Sequence, residues 1–253
     1  MTAEQKALIE QYNNLKINLD DTFQFHCTEC GKCCKHREDI MLTPRDIYNI
    51  SKELKITIKE LIAKYCEVYL GQDSHVPIVR ILPRGNVQRC PFLKSNKCLV
   101  HKAKPTICAM FPIGRILVYP EQSSANSCKS SANQNESSAN SCKSSTNPRI
   151  EYIFINPGCG DKSETYKVRD WLEMFNIPIN DEFFMLWTDI IHKISYTFIK
   201  LADKNVSMST IDKFANKIFN LMYLNYTLQS TDFINQFKEN KALIDEICSY
   251  INQ

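Results

Sequence analysis

The chain has 253 residues, 43% of them hydrophobic, which is enough to fill one large core or two small ones. Its 31 basic and 28 acidic side chains leave a net charge of +3, too weak a field to argue for nucleic acid. Only six glycines are present and none falls in a GxGxxG or GxxxxGK(S/T) pattern, which excludes both of those backbone cradles for a nucleotide.

The opening MTAEQKALIEQYNNLK carries an acid where a signal peptide needs a basic segment, and no apolar run approaches the roughly 20 residues of a membrane span. The expectation is a cytoplasmic protein with no membrane association. In that compartment thiols stay reduced, so the twelve cysteines point to metal or redox chemistry rather than to a disulfide framework. Leu8, Ile9, Tyr12 and Leu15 fall on one helical stripe and predict an N-terminal helix within residues 1–24. FHCTECGKCCKHREDIMLTPRD follows, with four cysteines in eight positions, a short strand over 39–42, and the capping signal Thr43-Pro44-Arg45-Asp46. That signal predicts a helix over 44–54, and Thr57-Ile58-Lys59-Glu60 predicts a second one with Leu61, Ile62, Tyr65 and Cys66 on its apolar face.

The β-branched runs 76–82 and 87–90 flank Pro83-Arg84-Gly85-Asn86 and predict a hairpin that delivers Cys90. Runs at 113–119 and 149–155 predict a second strand pair. Between them SSANSCKSS occurs twice, at 123–131 and 137–145, within a Ser/Asn-rich insertion at about 121–147 that has almost nothing apolar to bury. Cys128 and Cys142 are read as passengers of that duplication. Beyond Glu164 the pattern is helical, over 166–175, 180–201, 209–226 and 231–251, with a cap at Ser209 and apolar faces that include Phe183, Trp187, Ile190, Ile194 and Phe198. Cys66 and Cys248 lie among apolar residues and are read as buried thiols. The fold class is α+β, with a cysteine-rich region of short strands at 25–160 and a C-terminal helical region at 161–253.

Cys27-x2-Cys30-x2-Cys33-Cys34 is set among Thr28, Glu29, Lys32, Lys35, His36 and Arg37, a context too polar for four unligated core thiols. The spacing suits chelation, because Gly31 lets the loop bend until several sulfurs reach one ion. In extended backbone the adjacent Cys33 and Cys34 would point to opposite faces, so they are expected to serve two sites. Cys90, Cys98, Cys108 and Cys159 bring the candidate metal ligands to eight, enough for two tetrahedral sites or for one iron–sulfur cluster and a further metal. Thiolate sites of either kind are negative, and Lys32, Lys35, Arg37, Arg89, Lys94, Lys97, Lys102 and Lys104 lie near the ligands in sequence to offset that charge. His26, His36 and His101 are close enough in sequence to supplement a thiol, although a histidine beside a metal loop is more often a supporting group.

Phe25-x-Cys27-x2-Cys30-Gly31-x-Cys33-Cys34, Ile40-x-Leu42-Thr43-x2-Asp46, Cys90-Pro91-Phe92-Leu93 and Cys98-x6-Pro105-x2-Cys108-x2-Phe111-Pro112 occur in this order. Together they resemble the CxxCxxCC family, also called the YkgJ-like cysteine cluster family, described as chelating zinc or iron and related to flagellin lysine-N-methylase. The resemblance covers residues 25–160 apart from the insertion and implies chelating roles for Cys27, Cys30, Cys33, Cys34, Cys90, Cys98 and Cys108. Three departures stand out. Lys104 and Ala109 replace arginines usual in the family, and the last thiol, at Cys159 of Asn156-Pro157-Gly158-Cys159-Gly160, lies three residues beyond the usual start of that stretch. The metal stays open between zinc and an iron–sulfur cluster. The expected function is a metal-binding protein in metal handling or electron transfer. The alternatives are a cluster-dependent enzyme, methylase-like or oxidoreductase, and a zinc-supported module that binds a protein partner through its C-terminal helices.

Overall fold

The structure is a computed structural model that describes residues 3–36, 40–119, 148–204 and 206–252, of which 3–6, 8 and 9 are described by backbone alone. The insertion thiols Cys128 and Cys142, Arg37 and the Leu8 and Ile9 side chains therefore lie outside the described residues.

The first helix, α1 (Ala3–Leu15), runs directly into the short strand β1 (Lys16–Ile17). Strand β2 (Thr22–His26) alternates buried Phe23 and Phe25 with exposed neighbours and leads into the cysteine loop. After β3 (Met41–Leu42), α2 (Pro44–Leu54) starts where the sequence places it, because Thr43 and Asp46 form a reciprocal capping box with Pro44 at the first helical position. The same device at Thr57 and Glu60 starts α3 (Ile58–Tyr65), which passes into β4 (Cys66–Leu70).

The run at 76–82 is a strand, β5 (Pro77–Ile81), but the run at 87–90 is not its partner. β5 is the middle strand of a sheet ordered β3-β5-β4, with Leu42 opposite Val79 and Cys66 opposite Ile81. Residues 84–89 close a separate turn through reciprocal Arg84 and Arg89 backbone bonds of 2.8 Å, and Val87 stays exposed. A tight hairpin follows, β6 (Leu93–Lys94) with β7 (Lys97–Cys98), and then the short helix α4 (Thr106–Met110). β8 (Ile113–Val118) and β9 (Arg149–Phe154) pair antiparallel from Ile113–Phe154 to Val118–Arg149, as the sequence predicts, and β1 adds to the far edge of β9. Glu151 of β9 fastens α1 to this sheet, accepting from the Tyr12 hydroxyl, from Lys16 at 2.9 Å and from Arg149 at 2.7 Å.

Residues 161–167 form β10 (Asp161–Lys167), paired with β2, so the helix α5 (Val168–Met174) begins later than its periodicity suggests. DKSETYK lacks an alternating apolar face, and only pairing with β2 makes it a strand. Three longer helices complete the chain: α6 (Glu182–Asp203), α7 (Met208–Phe219) and α8 (Phe233–Asn252). The cap of α7 is Ser207, whose hydroxyl accepts from the Thr210 backbone at 3.3 Å, two residues before the expected Ser209. None of the described helices is long and apolar enough to cross a membrane.

Two apolar clusters result. The larger packs Ile47, Ile50, Leu61 and Val79 against Ile190, Ile194 and Ile218, so α6 to α8 share one core with residues 40–100. The smaller gathers Phe23, Phe25, Met110, Tyr152, Trp171 and Leu172. Asp181 ties elements of the two together. It caps α6, takes a bidentate bond from Arg45 at 2.7 and 2.9 Å, and lies 2.9 Å from Arg115 of β8. Burial opposes its charge, and the two guanidiniums outweigh burial and hold its carboxyl below the usual range.

Candidate metal centre

Each cysteine of the candidate set is delivered by a nameable local device. Gly31, in the left-handed region at φ +69°, turns the loop into a 3₁₀ turn over Lys32–Cys34, and a Cβ there would stand 3.5 Å from Leu93 of β6. Cys33 and Cys34 are therefore not on opposite sides of an extended strand. Their sulfurs lie 3.8 Å apart, with Cys33 exposed and Cys34 half-buried. About 3.8 Å is also the edge of a tetrahedron of thiolates around zinc, so the spacing alone admits both sulfurs on one ion. The expectation that extended backbone separates them is replaced by a turn that keeps them adjacent but unequally exposed.

The Cys34 carbonyl accepts the Cys90 backbone N–H at 2.8 Å, which fixes the start of Cys90-Pro91-Phe92-Leu93 beside the 3₁₀ turn. Cys90 thus arrives in a loop rather than on a hairpin strand. Two residues after Cys90, Phe92 is buried against Tyr65, and β6 places Leu93 opposite Cys98. Cys90, Cys98 and Cys108 all pack against the larger core.

Cys108 sits in the middle of α4, five residues long and too short to hold itself together. Both of its ends are braced from outside. Asp46, 3% exposed, completes the α2 capping box with one carboxylate oxygen and with the other accepts the Thr106 backbone N–H at 2.8 Å and hydroxyl at 2.7 Å. At the other end the Trp171 indole N–H donates to the Met110 carbonyl at 3.0 Å. Neither brace is visible as chemistry in the sequence, where Thr43-x2-Asp46 reads as a cap alone. The surplus acceptor capacity of a buried carboxylate, set against a threonine at a helix start, is the signal that could have found it.

Cys159 reaches the first loop through β10. Asp161 pairs with His26, and Gly160 at φ +73° packs so closely that a Cβ there would stand 2.4 Å from the His26 carbonyl. This brings Cys159 beside Cys30, whose sulfur also receives the backbone N–H groups of Lys32 and Gly160. The Lys32 N–H, ahead of the others, pulls the Cys30 thiol below its ordinary value. The more buried thiols move the other way. The Cys33 thiol bonded to it, with burial added, pushes Cys34 up, and burial raises Cys90, Cys98 and Cys159. These sulfurs stay protonated at neutral pH without metal, so an ion must displace their protons to bind.

Of the cations expected nearby, Lys104 acts on Cys98 and lies 5.5 Å over the Phe175 ring. His26 Nδ1 stands 3.3 Å from both Asp161 oxygens, the arrangement of a carboxylate-oriented imidazole, while His36 and His101 are exposed. Cys66 and Cys248 are buried apart from the group, Cys66 pushed up to about 12 by burial. Among the described residues, no three His, Cys, Asp or Glu side chains stand close enough to hold an ion without moving. The donor set itself fits zinc or iron by its chemistry: eight soft sulfurs on loops and short elements, each bordering others of the set, with N–H groups and a lysine acting on them.

Comparison with known proteins agrees with that chemistry. Residues 26–143 match the CxxCxxCC family, described as "Putative zinc- or iron-chelating domain". An uncharacterized protein of Methanocaldococcus jannaschii, MJ0661, is 31% identical over 104 residues, which are 39% of this chain; the match spans about half, 52%, of that relative's length. No solved structure matches the chain.

Proposed function

We propose, from the premise that residues 26–143 carry a CxxCxxCC domain, that this protein chelates zinc or iron through Cys27, Cys30, Cys33, Cys34, Cys90, Cys98, Cys108 and Cys159 and serves in metal handling. The observation that supports the reading is a series of neighbouring thiols from separate segments: Cys34 lies in range of Cys33, Cys90 and Cys108, Cys90 in range of Cys98, and Cys159 in range of Cys27, Cys30 and Cys33. Cys108 precedes β8 and Cys159 follows β9, so both lie at the Ile113–Phe154 end of that pair, about 17 Å along the strands from the Val118–Arg149 end. Three of the thiols are exposed, which suits exchange of an ion with another ligand better than it suits a purely internal brace. The exposed apolar side chains of the last helices, Tyr196 and Ile199 on α6 and Leu243 and Tyr250 on α8, are the ordinary content of a protein surface, so the reading places function at the thiols.

The test is anaerobic purification followed by measurement of zinc, iron and acid-labile sulfide per chain together with the visible spectrum. Zinc or iron in at least one-to-one ratio, lost in a variant lacking the loop thiols, is the expected result. A metal-free chain that still folds and takes up neither ion would overturn it. Stoichiometric sulfide would shift the role toward electron transfer.

A further inference from the structure

We propose that the eight thiols form two metal sites of unequal permanence: an inner site from Cys34, Cys90, Cys98 and Cys108 that retains its ion, and an outer site from Cys27, Cys30, Cys33 and Cys159 that exchanges it with a thiol-bearing carrier. This rests on the chelation reading above and goes further by dividing the ligands and naming the chemistry of the partner.

Backbone framework separates the two sets first. The inner four are linked through the Cys90 N–H on the Cys34 carbonyl, through the β6–β7 hairpin, and through α4 braced by Asp46 and Trp171. Cys90, Cys98 and Cys108 all pack on the larger core. Of the outer four, Cys27, Cys30 and Cys159 adjoin the ends of β2 and β10, where the Asp161–His26 pairing and the close seat of Gly160 bring Cys159 to Cys30, while Cys33 shares the 3₁₀ turn with Cys34. That junction belongs with the smaller cluster through Phe25.

Exposure separates them second. Cys27, Cys30 and Cys33 are exposed and Cys159 is half-buried, whereas every inner thiol is half-buried. An incoming thiolate needs an open face on the ion, and the outer set offers one while core packing encloses much of the inner set. The division falls between Cys33 and Cys34. In a 3₁₀ turn consecutive side chains are rotated by about 120°, so the sulfurs touch at 3.8 Å while Cys33 is exposed at the boundary, in range of Cys159 and of Cys90 and Cys98, and Cys34 is half-buried in range of Cys90 and Cys108. A cavity of about 320 Å³ lined by Gln24, Phe154, Pro157, Cys159 and Asp161 opens beside the outer set, room for a cysteine side chain of the carrier to approach.

The exchange step balances without a redox agent. The carrier's thiol attacks the outer ion, a new metal–sulfur bond forms as one protein thiolate is released, and the proton of the incoming thiol ends on the released cysteine. Metal charge and oxidation state do not change.

The experiment loads the full reduced chain with Zn²⁺, counts ions by native mass spectrometry, and follows their release to a chromogenic chelator. The expected result is two ions per chain, released in two phases whose rates differ at least about 100-fold. Cys27→Ser and Cys159→Ser should each remove only the fast ion, and Cys34→Ser only the slow one. Thr106→Val, which keeps every thiol, should accelerate the slow phase alone. A single ion per chain, two ions leaving in one phase, or loss of the same ion in Cys33→Ser and Cys34→Ser would overturn the division while leaving chelation intact. A chain that binds no Zn²⁺ and no iron would overturn both readings.

Discussion

The half-buried thiols and the exposed ones are held by two unlike kinds of structure. Cys34, Cys90, Cys98 and Cys108 sit on pieces too short to be stable alone, a 3₁₀ turn, a loop, a two-residue strand and a five-residue helix; Cys90, Cys98 and Cys108 pack on the larger core, and α4 also reaches the smaller cluster through Met110 and Trp171. Cys27, Cys30 and Cys159 instead follow or precede the ends of paired strands, with Cys27 and Cys30 exposed and Cys159 half-buried. Position is determined by packing in the first region and by strand register in the second. Ions bound in the two places should therefore differ in how much of the fold depends on them.

The largest expected effect tests that difference directly. Binding of a structural metal contributes on the order of 10 kcal/mol in small thiolate domains, so removing the inner ion should cost far more stability than removing the outer one. Melting curves of the fully loaded chain, of a chain stripped of its fast ion and of the metal-free chain measure this. Equal drops in Tm at the two stages would erase the distinction. Next in size is Asp181→Asn, which leaves Arg115, 7% exposed, and Arg45 without their shared counter-charge. Removing one partner of a buried ion cluster costs about 3–5 kcal/mol. Because Asp181 joins elements of the two apolar clusters and touches no thiol, denaturant unfolding should show the loss while the number of bound ions stays unchanged.

How much of this was legible beforehand follows the same physical division. The α2 and α3 starts, the β8–β9 pair across the insertion and the four long helical patterns all rest on local signals, capping boxes and periodicity, and appear at or near their expected places. The hairpin expected at 76–90 fails because β5 takes β3 and β4 as partners, a choice made by long-range packing. DKSETYK was unreadable as a strand since its pairing with β2 is what gives it form. Within the candidate site, the thiols themselves were plain from spacing, whereas Asp46, Trp171 and Gly160 were not. Each acts on a residue 60 or more positions away in the chain, at Thr106, Met110 and His26.

Gly160→Ala addresses the register side of the comparison. Its φ of +73° already disfavours a side chain, and the new Cβ would meet the His26 carbonyl at 2.4 Å and the Phe25 ring at 2.9 Å. A cost of about 3 kcal/mol is expected, with Cys159 displaced from Cys30 and the fast ion lost. Gly158→Ala, two residues earlier at φ +58° with nothing within 4 Å, should cost only about 1–2 kcal/mol and keep both ions. If the two variants bind zinc alike, close packing at Gly160 does not position the outer ligands.

Thr106→Val carries the smallest expected change and isolates the packing side. It removes one hydroxyl bond to Asp46, keeps the backbone bond and the α2 capping box, and so should cost only about 1 kcal/mol. Thr57→Ala is the matched control, since it also costs about 1 kcal/mol by uncapping α3 but lies on no element that carries a candidate ligand. Equal stability loss with a faster slow phase only in Thr106→Val would show that Asp46 acts on the ion through the position of Cys108. Equal release rates in both variants would reduce the Asp46–Thr106 contact to an ordinary stabilising bond, and the permanence of the inner ion would then rest on burial alone.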